Sequence, residues 1–349
     1  MMRQTITIFF LLATLLACNS SAEKQILFET GYSVEGELFL PIDRLADPRQ
    51  IQVTDKYLIL ANNKGEPQVE VYDISTRELL SAFLSVGNGP DEVLLIGNMQ
   101  IDEKNGSLYV ADLHRRRLFQ YNMDDVAKND NIITNIAFER GDDSPLLYDK
   151  MFIGKDHFIA ESRDPKGRII LIDKKTREAS YHYSYPDKKH IEIDMSDIDH
   201  AGEYASAISV SPSQDMIVMG TYIAGMLDIC RIKNGEIIPV WNNTIFHPQG
   251  QMAYPMGESA VIVHTQESRS GYLMVCSTDD YTYALYSGKK FEDKTYGVGN
   301  EVHVVSWSGK EAHKIVLDHS LTRISVDSNN EFIYGITPGM DVMRFPIKK

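Results

Sequence analysis

Apolar residues alternate with polar ones along most of this chain, in short runs separated by turns rich in Asp, Asn and Gly. From Ile51 onward one unit repeats: an alternating strand, a turn, a second apolar strand, a polar loop and a third strand. Alternation with a period of two is typical of half-buried strands, whereas an amphipathic helix shows an apolar stripe every 3.6 residues. The pattern therefore predicts an all-β protein built from repeats.

The second strand of each unit is the easiest to align. Six such strands are centred on Leu58, Leu108, Phe158, Ile217, Tyr283 and Phe332. Successive centres lie 50, 50, 59, 66 and 49 residues apart, which is a period typical of propeller blades. Third strands follow at matching offsets, and fourth strands are predicted at 79–84, 132–138, 179–185, 237–241 and 313–317. The sequence predicts a six-bladed β-propeller.

The sixth unit leaves no room for a fourth strand before Lys349. A strand-like segment, Ile26 to Leu40, precedes the first full unit and has no other assignment. We expect this N-terminal strand to complete the last blade, because closing the ring removes an open sheet edge. Residues 26–349 are predicted to form the propeller. The longest irregular region, 247–270, is predicted to be an insertion on one face, with its own strand at 260–263.

The N-terminus carries a short apolar run after Arg3 that ends in Leu15-Leu16-Ala17-Cys18. The run is shorter than the roughly 20 residues that a membrane-spanning helix needs, but it suits a secretory signal. It resembles a bacterial lipoprotein signal. That resemblance implies a signal peptide at 1–17, lipidation of Cys18, and a tether at 18–25. An ordinary cleaved signal, with Cys18 incidental, is the alternative.

Asn19 follows that cysteine, at the position where signals for retention in the inner membrane usually place aspartate. By analogy, the resemblance implies a cell-envelope lipoprotein that is anchored in the outer membrane. The membrane is then a partner through the lipid anchor alone.

Composition narrows the possible partners. The 349 residues are 43% apolar and 24% charged, as in an ordinary globular protein, and the formal net charge is −14. An acidic surface repels phosphate backbones, which argues against nucleic acid as a partner. If Cys18 carries lipid, only Cys230 and Cys276 could form a disulfide. Both lie in apolar strand-like runs, so buried free thiols are the favoured interpretation.

Three phrases resemble those of the TolB-like six-bladed propeller lipoproteins, a family related to NHL-type repeats and largely without assigned functions. They are Gly87-Asn88-Gly89-Pro90-Asp91-Glu92, the run from Tyr283 to Lys289 and the run from Glu301 to Lys310. The likeness runs from about Ile26 to Lys349. It implies a fold and a cellular address but no reaction.

The loop from Gly87 to Glu92 is the first candidate site. Asp91 and Glu92 offer acceptors for a ligand, but the favoured interpretation is a tight crossover between blades, in which glycine tolerates positive φ and proline presets a turn.

A second candidate is His114-Arg115-Arg116-Arg117, which follows Asp112. Neighbours in a strand point to opposite faces, so the three arginines cannot all converge. Arg117 resembles the arginine of NHL-type repeats that braces a blade turn through the preceding aspartate. His114 and Arg115 are left as binding candidates.

An acidic cluster of Asp194, Asp197 and Asp199, flanked by His190 and His200, could suggest a metal site. An EF-hand loop beginning at Asp197 would place Ala201 and Ile208 where that motif needs ligands. The histidine spacing also fits no zinc pattern. A solvated loop between blades is favoured, with His200 kept as a binding candidate, and no metal or other cofactor is predicted.

No nucleophile elbow, H-E-x-x-H pair or P-loop occurs in the sequence. The favoured function is therefore a binding or scaffold module for an envelope protein, a peptide or a glycan, and no catalytic residue is assigned. One alternative is a lactonase- or esterase-like hydrolase with calcium at the channel mouth. A sensor or assembly factor for a transporter is a third possibility.

Overall fold

The computed structural model describes residues 28–42, 47–64, 66–141, 146, 148–256 and 259–348. Two N-terminal strands precede the repeats: β1 (Gly31–Val34) and β2 (Glu37–Leu40). Blade 1 contains β3 (Pro48–Val53), β4 (Tyr57–Asn62), β5 (Val69–Asp73) and β6 (Leu79–Phe83). A short parallel pair, β7 (Ser85–Val86) and β8 (Glu92–Val93), follows it. Blade 2 contains β9 (Ile96–Asp102), β10 (Ser107–Asp112), β11 (Arg117–Asn122) and β12 (Asn135–Glu139), with helix α1 (Met123–Lys128) before its last strand.

The remaining blades follow the same order. Blade 3 contains β13 (Tyr148–Ile153), β14 (His157–Ser162), β15 (Ile169–Asp173) and β16 (Ala179–His182), and helix α2 (Asp197–Glu203) comes after it. Blade 4 contains β17 (Ser206–Val210), β18 (Met216–Thr221), β19 (Met226–Lys233) and β20 (Glu236–Thr244). The hairpin of β21 (Gln251–Met256) and β22 (Ser259–His264) leads to blade 5, which contains β23 (Tyr272–Ser277), β24 (Tyr281–Tyr286), β25 (Gly299–Ser306) and β26 (Ala312–Leu321). Blade 6 contains β27 (Arg323–Val326), β28 (Phe332–Ile336) and β29 (Val342–Pro346). Short 3-10 turns lie at Glu103–Asn105 and Lys188–His190.

Each blade is an antiparallel sheet in chain order, and β2 completes blade 6 by pairing antiparallel with β29. The prediction of a six-bladed propeller closed by the N-terminal strand is confirmed. The same segment also supplies β1, which pairs parallel with β26 and makes blade 5 five-stranded. The expectation of a single strand over 26–40 was wrong in this respect. At Gly36, between β1 and β2, a Cβ atom would lie 2.3 Å from the Phe345 ring, so the crossing requires glycine.

The core lies between the blades. Six clusters of buried side chains each join neighbouring sheets, and the cluster of Phe39, Ile51 and Tyr334 joins blade 6 to blade 1. Since every blade packs on both of its faces, second strands are largely buried: five of the six residues of β4 and all six of β10 are buried. The ring is held by side-chain burial, which is the dominant favourable contribution to folding.

The antiparallel order fixes two loop faces. Connections between blades, and those between second and third strands, lie at one end of the channel, which we call the upper face. The remaining turns lie at the lower face. The insertion between β20 and β23 is therefore on the upper face. The strand predicted at 260–263 lies within β22, and its pairing with β21 as a hairpin was not predicted. Within the described residues, no helix is long and apolar enough to cross a membrane.

Candidate functional site: the central channel

The first strand of every blade lines a central channel with a cavity of about 230 Å³. Its wall mixes amides and hydroxyls with apolar side chains; among the lining residues are Gln50, Gln100, Ser277, Phe152, Leu273 and Met274. The innermost strand of a propeller blade leaves one backbone edge without a ladder partner. Buried polar groups of that kind need other hydrogen-bond partners.

Side-chain amides provide those partners between blades 2 and 3. Asn98 donates to the Met151 carbonyl at 2.8 Å and accepts from the Met151 N–H at 3.1 Å. Gln100 repeats the pattern two residues on, donating to the Ile153 carbonyl at 3.0 Å and accepting from its N–H at 2.7 Å. These two amides act as a ladder between neighbouring innermost strands.

Blades 1 and 2 are joined by two further amides that each make half of that pattern. The Nε2 atoms of Gln50 and Gln52 donate to the carbonyls of Gly97 and Met99, both at 3.2 Å. A carbonyl only accepts, so Nε2 must face it. The Oε1 acceptor of each glutamine is left over.

Two cations and a phenol lie towards the upper end of the channel. Lys150 contacts the Glu161 carboxylate at 2.6 Å and donates to the Ser206 carbonyl at 3.0 Å, with its Nζ atom 5.0 Å from the centre of the Tyr222 ring. Burial alone would lower the pKa of Lys150, but Glu161 and Tyr222 together raise it above its ordinary value. Lys150 is therefore a charged, paired lysine rather than a neutral nucleophile.

Arg323 opens the first strand of blade 6 and also lines the channel. It donates from Nε to the Arg49 carbonyl at 3.0 Å and from Nη1 to the Thr322 carbonyl at 2.7 Å. Across the described ranges, no carboxylate forms an ion pair with this guanidinium. Burial lowers its pKa, as expected for a cation that has lost water without gaining an anion.

The lower end of the channel has the opposite charge. Glu103 lies there with Asp102 and Asp279, and burial followed by repulsion from Asp55 raises the pKa of Glu103. Gln214, in the first turn of blade 4, donates to Asp102 of blade 2 at 2.7 Å and so spans this end. In the portion of the chain that the structure describes, no group of three His, Cys, Asp or Glu side chains is placed to hold a metal ion.

None of the predicted binding candidates, which are Asp91, Glu92, His114, Arg115 and His200, lines the channel. Asp91, Glu92, His114 and Arg115 meet in another part of the upper face, between blades 1 and 2. Asp91 and His114 are exposed, and the Glu92 carboxylate accepts from the Gly89 N–H at 2.6 Å. The loop from Gly87 to Glu92 is thus a crossover between blades, as the favoured interpretation expected, but neither Gly87 nor Gly89 has the positive φ that interpretation invoked; both lie against the Glu92 carboxylate.

Arg115 is the arginine that braces this crossover. Its Nε lies 2.9 Å from the Asp112 carboxylate, and its other nitrogens donate to the carbonyls of Asn88, Gly89 and Glu92. The assignment of the aspartate brace to Arg117 was wrong, because Arg117 pairs instead with Glu139 on β12. Side chains alternate along β11, whereas Arg115 lies in the preceding turn and can reach back to Asp112.

We expect Arg115→Met to lower the free energy of unfolding by about 1–3 kcal/mol, because the buried Asp112 and three carbonyls lose a charged donor. Urea unfolding measures this, and limited proteolysis should show earlier cleavage at 87–92. His114→Ala, one residue away and exposed, is the control and should stay within about 0.5 kcal/mol of the unaltered protein. Equal stability of the two variants would contradict the bracing role.

His200 was expected in a solvated loop, and this was wrong. Residues Asp197–Glu203 form α2, whose N-cap Ser196 accepts from the Asp199 N–H at 3.1 Å. His200 is only 6% exposed and packs against Tyr185 and Tyr204. Burial, with a smaller contribution from Lys188, lowers the pKa of its imidazole.

The acidic members of that cluster do not converge on His200. Asp197 pairs with Lys188 at 2.6 Å and is largely exposed, while the Asp199 carboxylate accepts from Ser196. The buried acid of this region is Glu203, which lies 3.0 Å from His264 and also binds Gln251. Glu203 thereby fastens the β21–β22 hairpin to α2.

The two cysteines that the structure describes are free and buried, as predicted. Burial raises the pKa of both Cys230 and Cys276 to about 12, so neither thiol is reactive at neutral pH. Cys18 and the signal segment lie outside the described residues, and their prediction stays a prediction.

Sequence reasoning missed Lys150, Tyr222 and Arg323. For two of them the sequence contains a pattern that could have identified them as channel residues. Lys150 and Arg323 each place a long cation within the first strand of a repeat, and that strand lines the channel of a propeller. Tyr222 follows β18 without any distinguishing pattern.

Comparisons with known proteins agree with the propeller fold. The family described as TolB-like 6-blade propeller-like matches residues 27–329. Among solved structures, a DUF4221 family member from Bacteroides vulgatus ATCC 8482 is 13% identical with a TM-score of 0.58, covering 90% of this chain and 98% of that one. A Bacteroides fragilis NCTC 9343 protein inferred to be exported is also 13% identical, with a TM-score of 0.54 and coverage of 92% and 99%. These likenesses show the fold alone. No curated protein matches the chain.

Proposed function

Because this chain belongs to the TolB-like six-bladed propeller family, we propose that it is an exported binding protein whose central channel holds a small ligand. The observation that carries the proposal is Arg323, a channel-lining cation bound only to backbone carbonyls within the described residues. Arg323 is partly buried, and a cation that has lost part of its water without gaining a paired anion is costly. A ligand that enters the channel would supply the missing anion.

The cellular address in this proposal rests on two supports. The run Leu15-Leu16-Ala17-Cys18 has the pattern of a lipoprotein signal, and a protein of the same fold is inferred to be exported. We propose lipidation at Cys18 and anchoring in the outer membrane. The hydrolase alternative is ranked second, because it requires a bound calcium, and among the described residues no group of three His, Cys, Asp or Glu side chains is placed to hold a metal ion.

Extraction of the full-length protein from its native envelope with mild detergent tests the proposal. Native mass spectrometry then identifies small molecules released from it. Ser209 lines the channel and is partly accessible, so Ser209→Trp should fill part of the cavity and reduce the retained ligand. Ser180→Trp adds the same ring on the exposed outer strand of blade 3 and is the control.

Retention of a stoichiometric molecule by the unaltered protein and by Ser180→Trp, with loss in Ser209→Trp, supports a channel ligand. Release of no molecule from the unaltered protein, or equal retention by both variants, contradicts it. Circular dichroism and melting temperature establish that both variants are folded.

A further inference from the structure

The Arg323 guanidinium has a free edge. Arginine carries five N–H donors in a planar fork. The carbonyls of Arg49 and Thr322 take one from Nε and one from Nη1. The second Nη1 donor and both Nη2 donors are left without a partner among the described residues. Such an edge matches the two oxygens of a carboxylate, which can accept two parallel hydrogen bonds.

The charge at this end of the channel selects a monoanion. Among the described residues, three cations of this end each have a carboxylate within 3.0 Å, in the pairs Lys150–Glu161, Arg163–Asp149 and Arg49–Asp47. Of the described cations that line the channel here, Arg323 is the one whose positive charge is not balanced by such a pair. A phosphate monoester carries about −1.5 to −2 near neutral pH, so it would leave uncompensated negative charge, whereas a carboxylate would not.

The neighbouring wall offers acceptors. Gln50 directly follows Arg49, whose carbonyl Arg323 binds, and the Oε1 atoms of Gln50 and Gln52 are left over once Nε2 has bonded to blade 2. They lie two residues apart on β3, the spacing at which side chains of a strand share one side. A ligand with N–H donors spaced along an extended backbone would use both.

We infer that the channel binds a short unblocked peptide, with the terminal carboxylate on Arg323 and backbone N–H groups on Gln50 and Gln52. This inference rests on the proposed function and names its ligand class. The acidic lower end, with Glu103, Asp102 and Asp279, disfavours a second acid on the same ligand. A neutral or cationic far end fits the channel, as in a tripeptide with neutral side chains.

Full-length protein in detergent is offered a mixture of unblocked tripeptides and, separately, the same mixture with C-terminal amides. Affinity selection followed by mass spectrometry measures what is bound. We expect amidation to weaken binding by roughly 10- to 100-fold, the range for loss of charged hydrogen bonds. Arg323→Gln should weaken binding of the unblocked mixture by a similar factor. Arg231→Gln, at an exposed arginine of blade 4, should leave it unchanged.

Several outcomes would overturn the inference. Amidated tripeptides could bind as well as unblocked ones, or inorganic phosphate could displace a bound peptide more effectively than acetate does. The comparison of amidated with unblocked tripeptides uses the unaltered protein, so it still tests the inference if Arg323→Gln fails to fold. If Ser209→Trp abolishes ligand retention while amidation has no effect, the channel still binds a ligand and only the peptide assignment fails. If Ser209→Trp also has no effect, both proposals fail.

Discussion

Replacing Asp228 with alanine should lower the free energy of unfolding by about 3–5 kcal/mol, since it leaves a buried guanidinium unpaired. Asp228 on β19 contacts Arg168 at 2.8 Å, and both side chains are at least 96% buried. Tyr183 also donates to Asp228 at 2.8 Å, while Arg168 reaches Ser206 and Thr221. The network links blade 3 to blade 4, so its loss should destabilise the whole ring and not only these two blades.

Urea unfolding monitored by tryptophan fluorescence measures this effect. Asp197→Ala is the matched control, because its ion pair with Lys188 is largely exposed and exposed pairs contribute about 0–1 kcal/mol. The double variant Arg168→Met, Asp228→Leu removes both charges and should recover much of the lost stability. A loss below about 1 kcal/mol for Asp228→Ala would show that the pair does not hold these blades together.

Phe39→Ala should cost about 3–5 kcal/mol, the usual range for emptying a buried aromatic site. Phe39 lies on β2, is 1% exposed, and packs edge to face against Tyr334 at 5.1 Å. The guanidinium carbons of Arg77 and Arg344 lie 4.8 and 5.4 Å from the ring centre. The substitution therefore weakens the strand that closes the ring, and its effect should extend beyond the lost contacts.

Leu38→Ala is the control on the same strand. Leu38 is 51% exposed, so its truncation should change stability by no more than about 0.5 kcal/mol. Hydrogen exchange distinguishes local from global loss: the amides of β29 that face β2 should exchange faster in Phe39→Ala than the amides of blade 3. Equally faster exchange of the β29 and blade 3 amides would mean that the β2–β29 pairing and the other blades unfold together.

The blades were predictable because their signal is local. Five of the six residues used to align the units, from Leu58 to Tyr283, are at most 4% exposed. A strand between two packed sheets must be apolar on both faces, and nothing distant along the chain changes that requirement. The fourth strands, less buried and more variable, were found from spacing.

The sequence did not predict which blades the two N-terminal strands pair with. Gly31–Val34 and Glu37–Leu40 have similar strand-like composition, but they pair with blades 5 and 6 respectively. Their separation depends on contacts more than 280 residues away along the chain. Helix α2 was missed because two turns are too short to show a stripe, although Ser196 followed by Asp199 is a capping signal.

The candidate site was the least predictable part. Arg115 and Arg323 both lie at or beside the start of a strand, and the local sequence does not separate a bracing arginine from a channel-lining one. The two differ in the hydrogen-bond partners of the guanidinium. Arg115 binds a carboxylate and three carbonyls, whereas Arg323 binds carbonyls alone within the described residues. That difference is a property of the assembled ring.

The parallel pairing of β1 with β26 determines how the molecule would respond to mechanical load. Phe28, just before β1, is buried and stacks on His303 at 3.7 Å. A pull along the strand at this end would stretch the β1–β26 hydrogen bonds in shear, all at once, before any force reached β2. The β1–β26 pairing in blade 5 would thus resist the force before the pairing of β2 with β29 is loaded. The ring would stay closed while tension acts on the N-terminal end of β1.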